Sequence, residues 1–128
     1  MPGTPALAGD TPSVDGASVY IINLRDGDTV TSPVTMLFGL KGMGIAPAGV
    51  EQEGTGHHHL LINKALSGSE FDEPMVADDD LIHYGGGQTE TMMELPAGTH
   101  TLQLVLGDHN HVPHEPPVMS EPITVTVK

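Results

Sequence analysis

Glycine and proline interrupt this chain so often that it has no room for a long helix. Its 128 residues include 16 glycines and 11 prolines, and the apolar runs between them are short and bounded by turn residues. Inside these runs apolar and polar residues alternate, which places Leu102, Leu104 and Leu106 on one face of a strand. The pattern predicts strands over residues 18–24, 29–40, 57–63, 81–84, 88–95, 99–106 and 118–127.

About seven short strands separated by turns are the signature of a β-sandwich. The predicted fold is therefore all-β: an antiparallel, immunoglobulin-like β-sandwich with long loops over residues 41–56 and 64–80. Residues 1–17 show no periodicity and are predicted to be a flexible leader. Residues 18–128 are predicted to form a single β-sandwich domain, which suits a chain of this length.

The charge of the chain limits its partners. The formal net charge is −13, and the basic residues are Arg25, Lys41, Lys64 and Lys128. Nucleic acid and anionic membrane surfaces need basic patches, so neither is expected as a partner. No apolar run approaches the roughly 20 residues of a membrane span, so no membrane insertion is expected. A metal ion is the expected partner, together with a second protein if the metal is delivered onward.

The sequence also carries an expectation about location. It contains no cysteine, which excludes disulfides and thiolate metal sites. The first residues lack the basic and apolar pattern of a signal peptide, but their small-residue, proline-rich character is typical of the segment that follows a cleavage site. We therefore expect a periplasmic or otherwise exported protein whose signal peptide has been removed.

Histidines gather in two places, "HHH" at 57–59 and "HNHVPH" at 109–114. On a strand, His57 and His59 point to the same side, as two arms of a metal site. His109 and His111 form a second such pair if the strand at 99–106 extends slightly. The predicted metal ligands are His57, His59, His83, His109, His111 and His114.

The residues around these ligands receive separate predictions. His58 turns away from its neighbours and is predicted to be structural, as a half-buried ring with a hydrogen-bond partner. His100, between two threonines, is predicted to be solvated. Asp108 and Glu115 are candidates for holding a ligand ring in one tautomer. Met92 and Met93 are predicted to serve packing rather than metal binding.

Imidazole ligands suit several transition metals. An all-nitrogen set with tetragonal geometry favours copper, and a tetrahedral set of three histidines with an open position favours zinc. Copper is the predicted cofactor, with zinc as the alternative. Because the rings must be neutral to bind, the affinity is expected to fall as the pH drops through the histidine range near 6.5.

Four stretches of the chain carry a resemblance. They are "INLRDGDTVTSPVTMLFGLKGMGIAPAG", "GTGHHHLLIN", "HYGGGQTETMMELPAGTHTLQLVLGDHNHVPH" and "PITVTVK". Together they resemble an uncharacterised bacterial family of small exported domains, known as a domain of unknown function, over roughly residues 18–128. That resemblance implies no settled activity.

A looser resemblance concerns architecture alone. "LPAGTHTLQLVLGDHNH" is similar to the late strands of immunoglobulin-like periplasmic copper-resistance domains. This chain lacks the N-terminal histidine with which those domains bind copper, so their ligand set does not transfer.

Three functions remain open from the sequence. The first is a periplasmic metal-binding protein, for copper, acting in storage, delivery or tolerance. The second is a metalloenzyme on the same scaffold, either a copper dismutase-like enzyme or a zinc hydrolytic one, which needs an open coordination position beside a substrate pocket. The third is a structural or adaptor domain of the cell envelope, in which the histidines order the loops and the acidic loop 64–80 is the partner surface.

Overall fold

The computed structural model describes residues 11–128, which contain nine β-strands and one short 3-10 helix. The strands are β1 (Ser18–Ile21), β2 (Thr29–Val30), β3 (Val34–Lys41), β4 (Gly44–Ile45), β5 (Thr55–Ile62), β6 (Leu81–His83), β7 (Glu90–Met93), β8 (Gly98–Gly107) and β9 (Ile123–Val127), and the 3-10 helix is Gly68–Asp72. The all-β prediction is confirmed. Residues 1–10, which make up most of the predicted leader, lie outside the described residues.

The strands form two sheets. The first has the order β1-β3-β7, and the second has the order β2-β9-β8-β5-β4, with β6 pairing to β5. Most neighbours are antiparallel, but β2 runs parallel to β9 and β4 runs parallel to β5. The predicted two-sheet sandwich is therefore confirmed, with a mixed second sheet. The immunoglobulin-like order of its strands stays a prediction.

The main core lies between the two sheets and follows the alternation of the sequence. Val34, Met36 and Phe38 point inward from β3, where they meet the inward-facing leucines of β8 and Leu60 and Ile62 of β5. Residues on the other parity of β5 and β8 face outward from the second sheet. Two histidines, His57 and His59, occupy outward positions on β5.

Several strand limits differ from the prediction, and proline accounts for two of the differences. The run 29–40 is divided into β2 and β3 because Pro33 has no N–H to continue a ladder. The last strand begins at Ile123, directly after Pro122, rather than at residue 118. The two-residue strand β4 lies inside the predicted loop 41–56.

The outer face of the second sheet is covered by the acidic loop 64–80. A second apolar cluster forms there from Leu61, Met75, Leu81 and Val105. In the part of the chain that the structure describes, no helix is both long enough and apolar enough to cross a membrane. The outer face beneath this loop is where the site lies.

Candidate metal centre

Strand β5 places two histidines side by side on the outer face of the second sheet. His57 and His59 are both fully buried. In the antiparallel ladder with β8, His57 lies opposite Gly107. Strand β6 pairs with the other edge of β5 and places His83 opposite His59. The predicted common face of His57 and His59 is therefore formed.

A turn after β8 brings in a third histidine. The buried Asp108 carboxylate accepts hydrogen bonds from the backbone N–H groups of Asn110 (2.8 Å) and Val112 (3.0 Å) and from the hydroxyl of Thr11 (2.6 Å). Burial raises the pKa of Asp108, but these hydrogen bonds outweigh it and leave the pKa below its usual value. Asp108 thus holds the turn rather than a histidine ring, which corrects the sequence prediction.

The turn reverses the chain and points His111 back at β5. His111 takes the left-handed backbone conformation, with φ of 64°. Its Nδ1 lies 3.0 Å from Nε2 of His57 and 3.1 Å from Nε2 of His59. One ligand nitrogen from each ring lies within 4.8 Å of the other two. These residues form what we call the three-histidine cluster, and it is a group able to hold a metal ion.

The protons of the three rings cannot satisfy both short contacts. An imidazole nitrogen has one position in the ring plane, which holds either a proton or a lone pair. Nδ1 of His111 therefore makes one full hydrogen bond and not two. A cation placed between the nitrogens would be bound by three lone pairs at once, which removes the conflict.

Neighbouring groups orient the rings. Nδ1 of His59 lies 3.2 Å from the carbonyl oxygen of His57, and because a carbonyl only accepts, this nitrogen carries the proton. Nε2 of His59 is then left with its lone pair toward the cluster. His83 stacks on the ring of His111 with centroids 4.2 Å apart, and its Nε2 donates to the carbonyl oxygen of Met75 at 2.8 Å. His83 thus packs against the cluster while one of its nitrogens is already used.

The rings of the cluster are held neutral. Burial, followed by the nearby rings of His111 and His83, lowers the pKa of His57 to about 4. Burial and the neighbouring rings lower the pKa of His59 to about 2. Burial also lowers the pKa of His111, with His83 adding to the effect. The lone pairs are therefore available below pH 6.5, so the expected loss of metal affinity moves below the histidine range.

Two predicted ligands lie elsewhere. Nε2 of His109 lies 4.0 Å from a carboxylate oxygen of Glu51, and His109 is not a member of the cluster. The predicted pair of His109 and His111 is not formed, because β8 ends at Gly107 and the turn places the two rings in different directions. His114 is buried, and its Nε2 donates to the carbonyl oxygen of Thr55 at 3.1 Å.

The two histidines outside the predicted ligand set are both buried. His58 faces the core, as the alternation predicts, and its ring lies 5.1 Å from that of Phe38. The ring is fully buried and neither of its nitrogens has a hydrogen-bond partner among residues 11–128, so the prediction of a half-buried, hydrogen-bonded ring is wrong. His100 is only 8% exposed, so the prediction that it is solvated is wrong. It has the parity of Leu102 and therefore points inward, where its ring nitrogens meet the side chain of Asn63 (2.9 Å) and the carbonyl oxygen of Pro96 (2.7 Å).

Two residues of the site were missed by the sequence analysis. Met75 donates its backbone N–H to the carbonyl oxygen of His111 at 2.8 Å and accepts from His83. Gly107 leaves space for the ring of His59, since a Cβ at position 107 would overlap that ring. The signal for Met75 was its place beside a proline in an otherwise acidic segment, "DEPMVADDD".

The sequence matches one protein family. The sequence model described as "Domain of unknown function (DUF4399)" matches residues 36–128. The chain belongs to this family. The DUF4399 match spans every histidine discussed above and strands β4 to β9, and it confirms the predicted uncharacterised family. Searches of curated proteins and of solved structures gave no match.

Proposed function

We propose that this DUF4399 domain is a periplasmic copper-binding protein that acts in storage, delivery or tolerance of the metal. The ligands are Nε2 of His57, Nε2 of His59 and Nδ1 of His111. The observation that carries the proposal is the convergence of these nitrogens, at 3.0 and 3.1 Å, in an arrangement that their own protons cannot satisfy.

The spacing of the nitrogens suits a metal ion. Metal–nitrogen bonds of about 2.0–2.1 Å separate adjacent ligand nitrogens by about 3 Å. The two short contacts of His111 have this length, and the nitrogens of His57 and His59, which lie within 4.8 Å of each other, would have to approach one another as a metal binds. Two of the ligands stand on a central strand and are fixed before binding, which lowers the entropic cost of forming the site.

The ligand types favour copper, with zinc second. The cluster offers imidazole alone, without carboxylate or thiolate, which disfavours calcium and magnesium. Copper(II) stands above zinc in intrinsic affinity for such nitrogen ligands. Zinc is the runner-up because three histidines and an open position also suit a tetrahedral zinc site.

A calorimetric titration of the metal-free protein with Cu(II) and with Zn(II) at neutral pH tests the proposal. We expect one tight site per chain. His111→Ala removes a ligand and should abolish that site, whereas His109→Ala removes a ring from the same turn and should leave it intact. Circular dichroism of both variants checks that the fold is kept.

Two results would contradict the proposal. One is a wild-type protein that takes up neither metal, and the other is equal binding by the His111→Ala variant. The periplasmic location has its own test, which is fractionation of cells that express the full gene.

A further inference from the structure

Met75 stands out within the loop that covers the site. Its side chain is 4% exposed, whereas Val76 beside it is 74% exposed. The other residues from 72 to 80 are all exposed. One methionine of this acidic loop is therefore inserted toward the sheet while its neighbours stay in solvent.

Backbone contacts fix this residue to the site. The N–H of Met75 binds the carbonyl oxygen of His111, and its carbonyl oxygen accepts from Nε2 of His83, each at 2.8 Å. Its methyl carbon Cε lies 3.1 Å from the point where a Cβ of Gly107 would stand, and the edge of the His59 ring formed by Cε1 and Nδ1 meets the same point. The thioether end of Met75 is therefore next to a ring of the three-histidine cluster.

Met75 also lines an acidic cavity. The cavity is lined by Glu70, Glu73 and Asp78, with Lys64 as the basic residue of its wall. Carboxylates that line a recess raise the local concentration of cations. Lys64 pairs with Asp78 at 3.3 Å, which leaves Glu70 and Glu73 as the carboxylates that attract cations to this recess. Met75 thus lines a recess that attracts cations and also contacts the surroundings of the cluster.

We propose that Met75 supplies a thioether sulfur to the metal, completing a three-nitrogen, one-sulfur site that holds Cu(I). This inference rests on the proposed function and deepens it. Thioether sulfur is a soft ligand that selects Cu(I). Zn(II) is held in proteins by imidazole, carboxylate and thiolate, so it gains nothing from this residue. Met75 accordingly sets the choice between the two metals.

Comparison of Met75→Leu with Met119→Leu tests the inference. Leucine conserves the volume and apolar character of methionine but removes the sulfur. Met119 is a matched control, since it packs half-buried against the same apolar cluster. Cu(I) affinity is measured anaerobically by competition with a Cu(I) chelator, and Zn(II) affinity by calorimetry.

We expect Met75→Leu to weaken Cu(I) binding by about tenfold or more, with Zn(II) binding changed by less than about twofold. Met119→Leu should change neither affinity. In wild-type protein with ¹³C-labelled methionine methyl groups, Cu(I) should shift the Met75 resonance and leave that of Met119 in place. This measurement does not depend on how well a variant folds.

The two proposals fail in different ways. If the wild type binds copper and zinc but Met75→Leu keeps full Cu(I) affinity and the Met75 methyl resonance does not move, the sulfur ligand is overturned alone. If the wild type binds neither metal, the proposed function falls first.

Discussion

The two histidine pairs of this chain have the same spacing, but one lies on an extended strand and the other lies in a turn. His57 and His59 project from one face of β5 and meet at the cluster. His109 and His111 lie in a turn, where His111 joins the cluster and His109 approaches Glu51 instead. The middle residues differ as well, since His58 is buried in the core and Asn110 is exposed. Equal spacing thus has a structural meaning only when the backbone is extended.

The difference arises at Gly107 and Asp108. Gly107 is the last residue of β8 and lies against the ring of His59, so the strand ends where the cluster begins. Asp108 then binds two backbone N–H groups of the following residues, which closes a turn. The positions of His57 and His59 are therefore fixed by the sheet, whereas the turn that carries His109 and His111 is fixed by the carboxylate of Asp108.

The largest effect that we predict concerns His58, the middle residue of the strand pair. Burial lowers the pKa of His58 to about 4 in the folded protein, against 6.5 for a free histidine. The unfolded chain therefore binds a proton between pH 6.5 and 4 that the folded chain excludes. Stability from this group is present above pH 6.5 and is lost as the pH falls toward 4. The loss amounts to about 3 kcal/mol.

His58→Leu should remove this part of the acid sensitivity. We expect the free energy of unfolding of the metal-free protein, measured with urea at pH 7 and pH 4.5, to fall less in the variant than in the wild type. At pH 7 the exchange should be close to neutral, because both ring nitrogens lack a hydrogen-bond partner among residues 11–128. Equal losses on acidification in the two proteins would contradict a buried neutral ring, and metal binding at pH 7 should be unchanged.

The second prediction concerns the space beside the strand pair. Gly107→Ala places a Cβ against the ring of His59, which must then move from the cluster. We expect overpacking to cost about 1–3 kcal/mol of unfolding free energy, together with weaker metal binding.

Gly44→Ala is the control for this prediction. A Cβ at position 44 meets Cγ2 of Thr55 at 3.7 Å, which is an ordinary contact. The control should therefore keep both stability and metal affinity. If Gly107→Ala bound metal as well as the wild type does, the fixed position of His59 would be disproved.

The sequence predicted those parts of the molecule that depend on alternation. The inward faces of β3 and β8, the common side of His57 and His59, and the inward turn of His58 all follow from a period of two. The same rule, applied fully, also predicts burial of His100, which shares the parity of Leu102. Its neighbours Thr99 and Thr101 are both exposed, so the local composition around His100 conceals its inward parity.

The parts that could not be predicted depend on long-range contacts. The meeting of His111 with β5 needs the turn at Asp108, which is closed in part by a hydroxyl from Thr11, 97 positions away. The insertion of Met75 needs the ring of His83 and the carbonyl oxygen of His111 as partners of its backbone. No local spacing encodes either contact, because each joins segments that are adjacent only in the folded sandwich.

The smallest effect that we predict is a difference in stability between glycine and alanine variants at His111 and at His109, which have different backbone conformations. His111 has a φ of 64°, while His109 is not among the residues with positive φ. In the left-handed region a side chain costs about 1 kcal/mol that glycine does not. His111→Gly should therefore be more stable than His111→Ala by about 1 kcal/mol. At position 109 the order should reverse by about 0.5 kcal/mol, since glycine there only adds freedom to the unfolded chain.

Urea unfolding of the four metal-free variants measures both differences, and the same order of stability at both positions would refute the left-handed conformation of the turn at His111. Alanine and glycine both lack the ligand nitrogen of His111, so both variants at position 111 should fail to bind metal. Both variants at position 109 keep all three ligands and should bind it.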